Sequence, residues 1–165
     1  MLTFRKATLT DVENLTKLRT DFLQEVNSFT SQDTILAMQN ANRDYFKAAL
    51  PHKDFIAWLA LNGNTIVATS GITFATVPPT PRWPNGKTAH IMNIYTLPAY
   101  RKQGIAMQLL ARVIQEAKDR HCTKITLNAT QAGRPLYLKC GFKDLTGDMA
   151  LYLGASSEAT QDTCC

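Results

Sequence analysis

From Gly104 onward, Ile105, Leu109, Leu110, Val113, Ile114 and Ala117 fall at helical intervals, while Gln108, Arg112, Gln115 and Lys118 fill the opposite face. That spacing predicts a helix running to about Arg120. Just upstream, AHIMNIYT (89–96) alternates and is rich in β-formers, which predicts a strand. The two are joined by LPAYRKQG, a polar stretch ending in glycine. A strand, a Gly-containing turn and a helix in this order aim several backbone N–H groups at one point, and the helix dipole adds positive potential there. An anion is the expected ligand, and phosphate is the best fit.

The same reading divides the rest of the chain. LTFRKA (2–7) predicts a first strand. DVENLTKLRTDFLQEV predicts a helix capped by Thr10 or Asp11, with Val12, Leu15, Leu18, Phe22 and Val26 on one face. Residues 33–50 predict a second helix, capped by Asp33 and stopped by Pro51. Two strands follow, DFIAWLAL (54–61) and TIVATSGITFAT (65–76), joined by the hairpin signal Asn62-Gly63-Asn64. VPPTPRWPNGK (77–87) holds four prolines and predicts a loop. After the long helix, KITLNA (124–129) predicts a strand and RPLYLKC (134–140) a short helix ended by Gly141. FKDLTGDMALYL predicts two short closing strands around Thr146-Gly147. The order βααβββαβαββ defines an α/β protein.

Composition narrows the classes. With 165 residues, 45% of them hydrophobic, the chain has the size of one domain with a real core. The expected organisation is a single domain over 1–153 and a flexible C-terminal tail over 154–165. The net charge of +5 suits an anionic ligand and is too mild for a nucleic-acid binder. The acids are unevenly spread: none lies between Asp54 and Glu116, where Arg82, Lys87, Arg101, Lys102 and Arg112 occur. This predicts a local positive field around the anion site. The start, MLTFRKATLTD, has no apolar signal core, and IAWLAL (56–61) is far short of a membrane span, so no membrane association is expected. Cys122, Cys140, Cys164 and Cys165 show neither metal-ligand nor disulfide-framework spacing, which fits reduced thiols in the cytoplasm and no metal.

LPAYRKQGIA resembles the R/Q-x-x-G-x-G/A signature of the GNAT acetyltransferase superfamily, with Arg101, Gly104 and Ala106 in the defining places. The strand and Leu-Pro lead-in agree, and LYLKCGF (136–142) resembles the family's Leu-Tyr-x-x-x-Gly-Phe segment. The element order matches along residues 2–153. The resemblance implies a mixed, mostly antiparallel central sheet of about seven strands flanked by about four helices. It also implies acetyl-CoA as cosubstrate. The backbone of Ile94, Tyr95 and Thr96 would pair with the pantetheine arm. Arg101 opens the cofactor turn. Lys102, Gln103, Gly104, Ile105, Ala106 and Met107 would cradle the pyrophosphate, with Asn128 or Thr130 as a further cofactor contact. Small residues at 104 and 106 let the backbone approach the phosphates.

Tyr137 resembles the family's general acid, which protonates the departing CoA thiolate; an unperturbed Tyr at about 10 suits that task. No carboxylate lies on the strand at 89–96 or in LNAT (127–130), where many family members carry a basic Glu. His90 is either a base or a packed strand residue, and Trp58 and Trp83 either line an acceptor cavity or anchor the core and the loop. Cys140 is expected to be a small buried filler rather than a nucleophile. The resulting expectation is an N-acetyltransferase in which a primary amine attacks acetyl-CoA directly within a ternary complex. A non-catalytic acyl-CoA-binding sensor or partner-dependent subunit is the alternative. The acceptor is expected to be a small-molecule or peptide amine, and a second copy of the chain is a candidate partner.

Overall fold

The computed structural model describes residues 1–145, 149 and 151. Its elements are β1 (Leu2–Lys6), α1 (Val12–Asn27), α2 (Gln32–Ala49), β2 (Phe55–Asn62), β3 (Thr65–Thr76), β4 (Lys87–Thr96), α3 (Ile105–Asp119), β5 (Lys124–Leu127) and α4 (Arg134–Lys139). The chain forms two compact units, Met1–Leu127 and Asn128–Cys165. The first unit carries one sheet in the order β1-β2-β3-β4-β5. The three pairings from β1 to β4 are antiparallel, and β4 pairs β5 in parallel after the crossover through α3.

Alternation along β2 explains the layering. Phe55, Ala57 and Leu59 pack with Val12 and Leu15 of α1 and Phe46 of α2. Trp58 and Ala60 point the other way, toward Ile105 and Leu109 of α3. Helices therefore cover both faces. The face of α1 is as its spacing predicts: Val12, Leu15 and Leu18 are buried and Phe22 and Val26 half-buried. Between β2 and β3 the chain reverses in the two residues Gly63-Asn64, with Asn62 paired to Thr65 and Gly63 at φ 60.

Two expectations are corrected. The described residues hold five strands with four helices, rather than about seven strands. Phe142–Leu145 carry no strand, and much of the remaining closing segment lies outside the described residues, as does the tail at 154–165. For Phe142 the reason is local. Gly141 takes φ 88, its N–H bonds the Leu138 carbonyl at 3.0 Å, and the Phe142 N–H bonds the Tyr137 carbonyl at 3.1 Å. These two hydrogen bonds close α4 and commit Phe142 to the helix cap. The second correction is the start of α2: Ser31 is the N-cap, and Asp33 sits inside the first turn, where its charge complements the helix dipole.

Candidate active site at the end of the fourth strand

Two features of β4 set the site. Its ladder with β5 ends at Ile91 and Leu127, so Met92–Thr96 run on past the end of β5. Its ladder with β3 is bulged: Met92 faces Gly71 and Tyr95 faces Thr69, leaving Asn93 and Ile94 against Ser70. Asn93 adopts φ 61, a left-handed conformation that asparagine tolerates better than most residues. Its side chain is 5% exposed, and neither its amide nitrogen nor its oxygen has a protein partner among the described residues. The hydroxyls of Thr69, Ser70 and Thr96 are buried and unpartnered in the same way. Each such group costs about 1–3 kcal/mol. That cost is concentrated where the strand leaves regular geometry.

Beyond Thr96, Leu97 extends the sheet by donating its N–H to the Val67 carbonyl at 2.9 Å. Pro98–Tyr100 make one 3-10 turn, and the chain then takes positive φ at Lys102 (60°) and at Gly104 (75°). A left-handed residue directly followed by a right-handed one curls the backbone into a concavity lined by N–H groups, an anion nest, and Gly104 leading into the helical Ile105 is such a pair. The first rung of α3 is the bond from the Gln108 N–H to the Gly104 carbonyl at 3.2 Å. The N–H groups of Ile105 and Ala106 precede that rung. A Cβ added at Gly104 would meet nothing within 4 Å, so the space beside the turn is open. The nest, the open space and the orphaned polar atoms of the bulge fit a phosphate-bearing thioester lying along the end of β4.

The side chains at the turn divide by role. Ile105 is buried in the core, so only its backbone is available to a ligand, whereas Lys102 and Gln103 are exposed. Met107 is 37% exposed on the first turn of α3, beside the half-buried Ala106. Arg101 is tied down. Its Nε donates to the Thr96 carbonyl at 2.9 Å, its Nη2 reaches Glu25 Oε2 on α1 at 2.6 Å, and its guanidinium carbon lies 5.5 Å from the Tyr95 ring centre. The Tyr95 hydroxyl donates to the same carboxylate oxygen at 3.3 Å, and the Tyr95 ring packs on Phe22. Arg101 holds the Glu25 carboxyl below the usual carboxylate range, and burial pushes the Tyr95 phenol up.

The expected positive field is dispersed in three dimensions. Arg112 stacks on Phe4 at 3.9 Å, Arg82 lies over Trp83, and Lys87 begins β4 at the end away from the turn. Only Arg101 and Lys102 of the five basic residues sit at the turn, and Glu25 answers the first. The two tryptophans are anchors. Trp58 Nε1 donates to Glu116 of α3 at 3.1 Å, and Trp83 bridges to Thr80 within the loop under the Lys124 ammonium. His90 is half-buried with Nδ1 2.8 Å from the Thr126 hydroxyl of β5, and burial lowers its pKa.

Asn128 and Tyr137 belong to the second unit. Tyr137 lies on α4 with its ring edge-on to Phe142, and Cys140 is half-buried at the end of that helix rather than fully buried. No group of His, Cys, Asp or Glu among the described residues is arranged to hold a metal ion, and no helix among them is long and apolar enough to cross a membrane. The partner of Arg101 lies 76 residues away on α1 and has no sequence signal of its own. A weak signal for the bulge exists in hindsight, an asparagine inside an otherwise β-forming run.

A bulged β4 that overruns β5 and a turn of left-handed residues before α3 leave backbone groups open to an anionic ligand. The sequence model of the Acetyltransferase (GNAT) family matches residues 14–142, and the chain belongs to that family. Among solved structures, it resembles a predicted acetyltransferase from Clostridium acetobutylicum, crystallised with acetyl-CoA. The two are 34% identical with a TM-score of 0.84, over 93% of this chain and 97% of that one. A GCN5-related N-acetyltransferase from Ralstonia eutropha JMP134 is 27% identical with a TM-score of 0.82, over 93% of this chain and all (100%) of the other. Probable glucosamine 6-phosphate N-acetyltransferase 2 of Oryza sativa subsp. japonica is 33% identical over 67 residues, 41% of this chain and 40% of that protein. Glucosamine 6-phosphate N-acetyltransferase 1 of the same plant is 30% identical over 67 residues, so the chain matches about two fifths of the length of these curated relatives.

Proposed function

We propose that the chain is an N-acetyltransferase that moves the acetyl group of acetyl-CoA to a primary amine by direct attack in a ternary complex. The observation that carries this reading is the pairing of the β4 overrun and bulge with the nest at Lys102–Gly104. The backbone of Ile94, Tyr95 and Thr96 would hold the pantetheine arm as a further strand would be held. The turn from Lys102 to Met107 would hold the pyrophosphate, and Asn128 is a further contact carried by the family resemblance. Acetyl-CoA, when bound, supplies an activated acetyl thioester.

The chain's own part is positioning, polarisation and proton handling. Backbone N–H groups at the bulge would polarise the thioester carbonyl. The amine nitrogen bonds to the acetyl carbon as the carbon–sulfur bond breaks, and the Tyr137 hydroxyl gives its proton to the leaving sulfur. The amine's own proton goes to water or to His90, whose lowered pKa leaves it neutral near pH 7. The acceptor is a single amine of modest pKa on a small molecule or peptide. The amino-sugar phosphate named for the rice relatives is one compound of that kind.

Release of CoA thiol, measured with acetyl-CoA and a panel of amine classes, tests the proposal. Turnover with at least one class, with no acetyl retained on the protein, is the expected outcome. Binding of acetyl-CoA without turnover across a broad panel defeats it in favour of a binding subunit. Ping-pong kinetics with labelled acetyl held on the chain defeats the direct attack.

A further inference from the structure

A carboxylate beside an anion-binding turn is a liability, because it repels the phosphates the turn is shaped to hold. Glu25 nevertheless sits there, near the C-terminal end of α1, with Oε2 2.6 Å from Arg101 Nη2. An exposed pair of this kind is usually worth little. This one is part of a closed set of contacts. Arg101 Nε is fixed on the Thr96 carbonyl at 2.9 Å, and the Tyr95 hydroxyl reaches the same Glu25 oxygen at 3.3 Å. The Tyr95 ring centre is 5.5 Å from the Arg101 guanidinium carbon and 5.9 Å from the ring centre of Phe22 of α1. Two side chains from the last turns of α1 thus grip two residues that bracket the start of the turn.

We infer that Glu25 is a positioning residue for the donor turn: it holds Arg101 on the Thr96 carbonyl, and Arg101 thereby fixes the backbone that enters the nest at Lys102–Gly104. Arg101 acts as a strut, and the nest's backbone is left to bind the anion. The inference rests on the proposed use of that turn for acetyl-CoA. It runs against the simple Coulomb expectation, in which deleting an acid beside a phosphate site tightens binding.

The test compares the parent chain with Glu25→Ala, Glu25→Gln, Arg101→Gln and the double variant Glu25→Ala/Arg101→Gln. Acetyl-CoA affinity is measured by calorimetry, and KM and kcat are measured separately. Glu25→Ala should weaken acetyl-CoA by about fivefold, with Glu25→Gln recovering part of the loss through its remaining hydrogen bond. The double variant should be no weaker than Arg101→Gln alone, because both act through one contact. KM for acetyl-CoA should rise with kcat little changed. Unchanged or tighter binding in Glu25→Ala, or losses that multiply in the double variant, overturns the inference. Failure of the parent chain to bind acetyl-CoA would sink the proposed function instead. Amide exchange in the free protein then judges the strut: faster exchange of the Gln108 N–H in Glu25→Ala sustains it, and equal exchange overturns it.

Discussion

The Gln108 N–H bonds the Gly104 carbonyl at 3.2 Å, and Gly104 makes this first rung of α3 from a left-handed conformation, φ 75. The helix begins where the turn ends, so one residue sets both the dipole and the nest. A side chain at 104 would meet no protein atom within 4 Å. Gly104→Ala therefore carries only the left-handed penalty, about 1 kcal/mol, and should lower the melting temperature slightly and acetyl-CoA affinity a few-fold. Gly104→Glu adds bulk and a negative charge in the space meant for phosphate. Calorimetry should show a loss well beyond tenfold. Unchanged affinity in a folded Gly104→Glu chain removes the turn from cofactor binding.

The turn was legible because its signals are local: alternation before it, helical spacing after it, and a glycine where φ is positive. β3 falls at 65–76 as its pattern predicts, and the other strands shift by one or two residues at their ends. What the chain does not print is long-range pairing. Nothing around Glu25 marks it as the partner of Arg101. The acid-free stretch between Asp54 and Glu116 suggested a concentrated field, yet folding sends Arg112 to Phe4 and Arg82 to Trp83. Sequence proximity of charges is not spatial proximity once a sheet separates them. The start of the first closing strand departs from its pattern for a different reason, the rest of that segment lying largely outside the described residues. The glycine that ends α4 also commits Phe142 to the helix cap through the bond from its N–H to the Tyr137 carbonyl.

Tyr137 is the proposed acid, and its local setting offers two variants. Tyr137→Phe removes only the hydroxyl and keeps the edge-on ring contact with Phe142. Turnover should fall by about 10²-fold with acetyl-CoA affinity nearly intact. Gly133→Ala probes the same ring differently, since a Cβ there would lie 3.1 Å from Tyr137 Cε2 and from Thr130 Oγ1. It should lower kcat while the hydroxyl is still present. Equal turnover in Tyr137→Phe removes Tyr137 from the mechanism.

Asp11 is buried and joined to Arg5 by two hydrogen bonds of 2.7 Å, with the Thr8 N–H adding a third at 2.8 Å. The Arg5 hydrogen bond holds the Asp11 carboxyl below its ordinary value. A depressed carboxylate pKa means that the unfolded chain binds its proton first as pH falls. The contribution is whole above the ordinary Asp value of about 3.9 and disappears as pH drops through the folded value. Asp11→Asn should cost about 1.5–3 kcal/mol at pH 7. Its denaturation midpoint should change less than that of the parent chain below about pH 4. Parallel pH curves for the two chains would refute the assignment.

His90 works at higher pH and with the same sign. Burial lowers its pKa, so the native state resists a proton that the unfolded state accepts. Its contribution is complete above about 6.5 and is lost as pH falls from there through the folded value. His90→Gln should lose less stability between pH 7.5 and pH 5.5 than the parent chain, both pH values being choices of about one unit either side of the ordinary His value. Chemical denaturation at the two pH values measures this. An identical loss in both chains would show that folding does not lower the His90 pKa.

The acceptor amine must be neutral to attack, and this sets the last expectation. An α-amino group with pKa of about 8 is roughly one-tenth neutral at pH 7, a penalty of roughly 1.4 kcal/mol, while a lysine-like amine at about 10.4 carries roughly 4.6 kcal/mol. A strong carboxylate base near the thioester would erase much of that difference. The described part of β4 offers none: His90 is engaged with Thr126, and Glu25 is held by Arg101. Under the proposed mechanism deprotonation falls to water or to a weak imidazole, and the smaller penalty wins. Polycations gain nothing here either, since the nearest acid on α1 is already neutralised by its arginine. Rates measured at pH 7 across amines of graded pKa and equal size should therefore rise as amine pKa falls. Polyamines and aminoglycosides should be poor acceptors. A clear preference for polycationic amines would refute this reading and place an acidic acceptor pocket elsewhere on the chain.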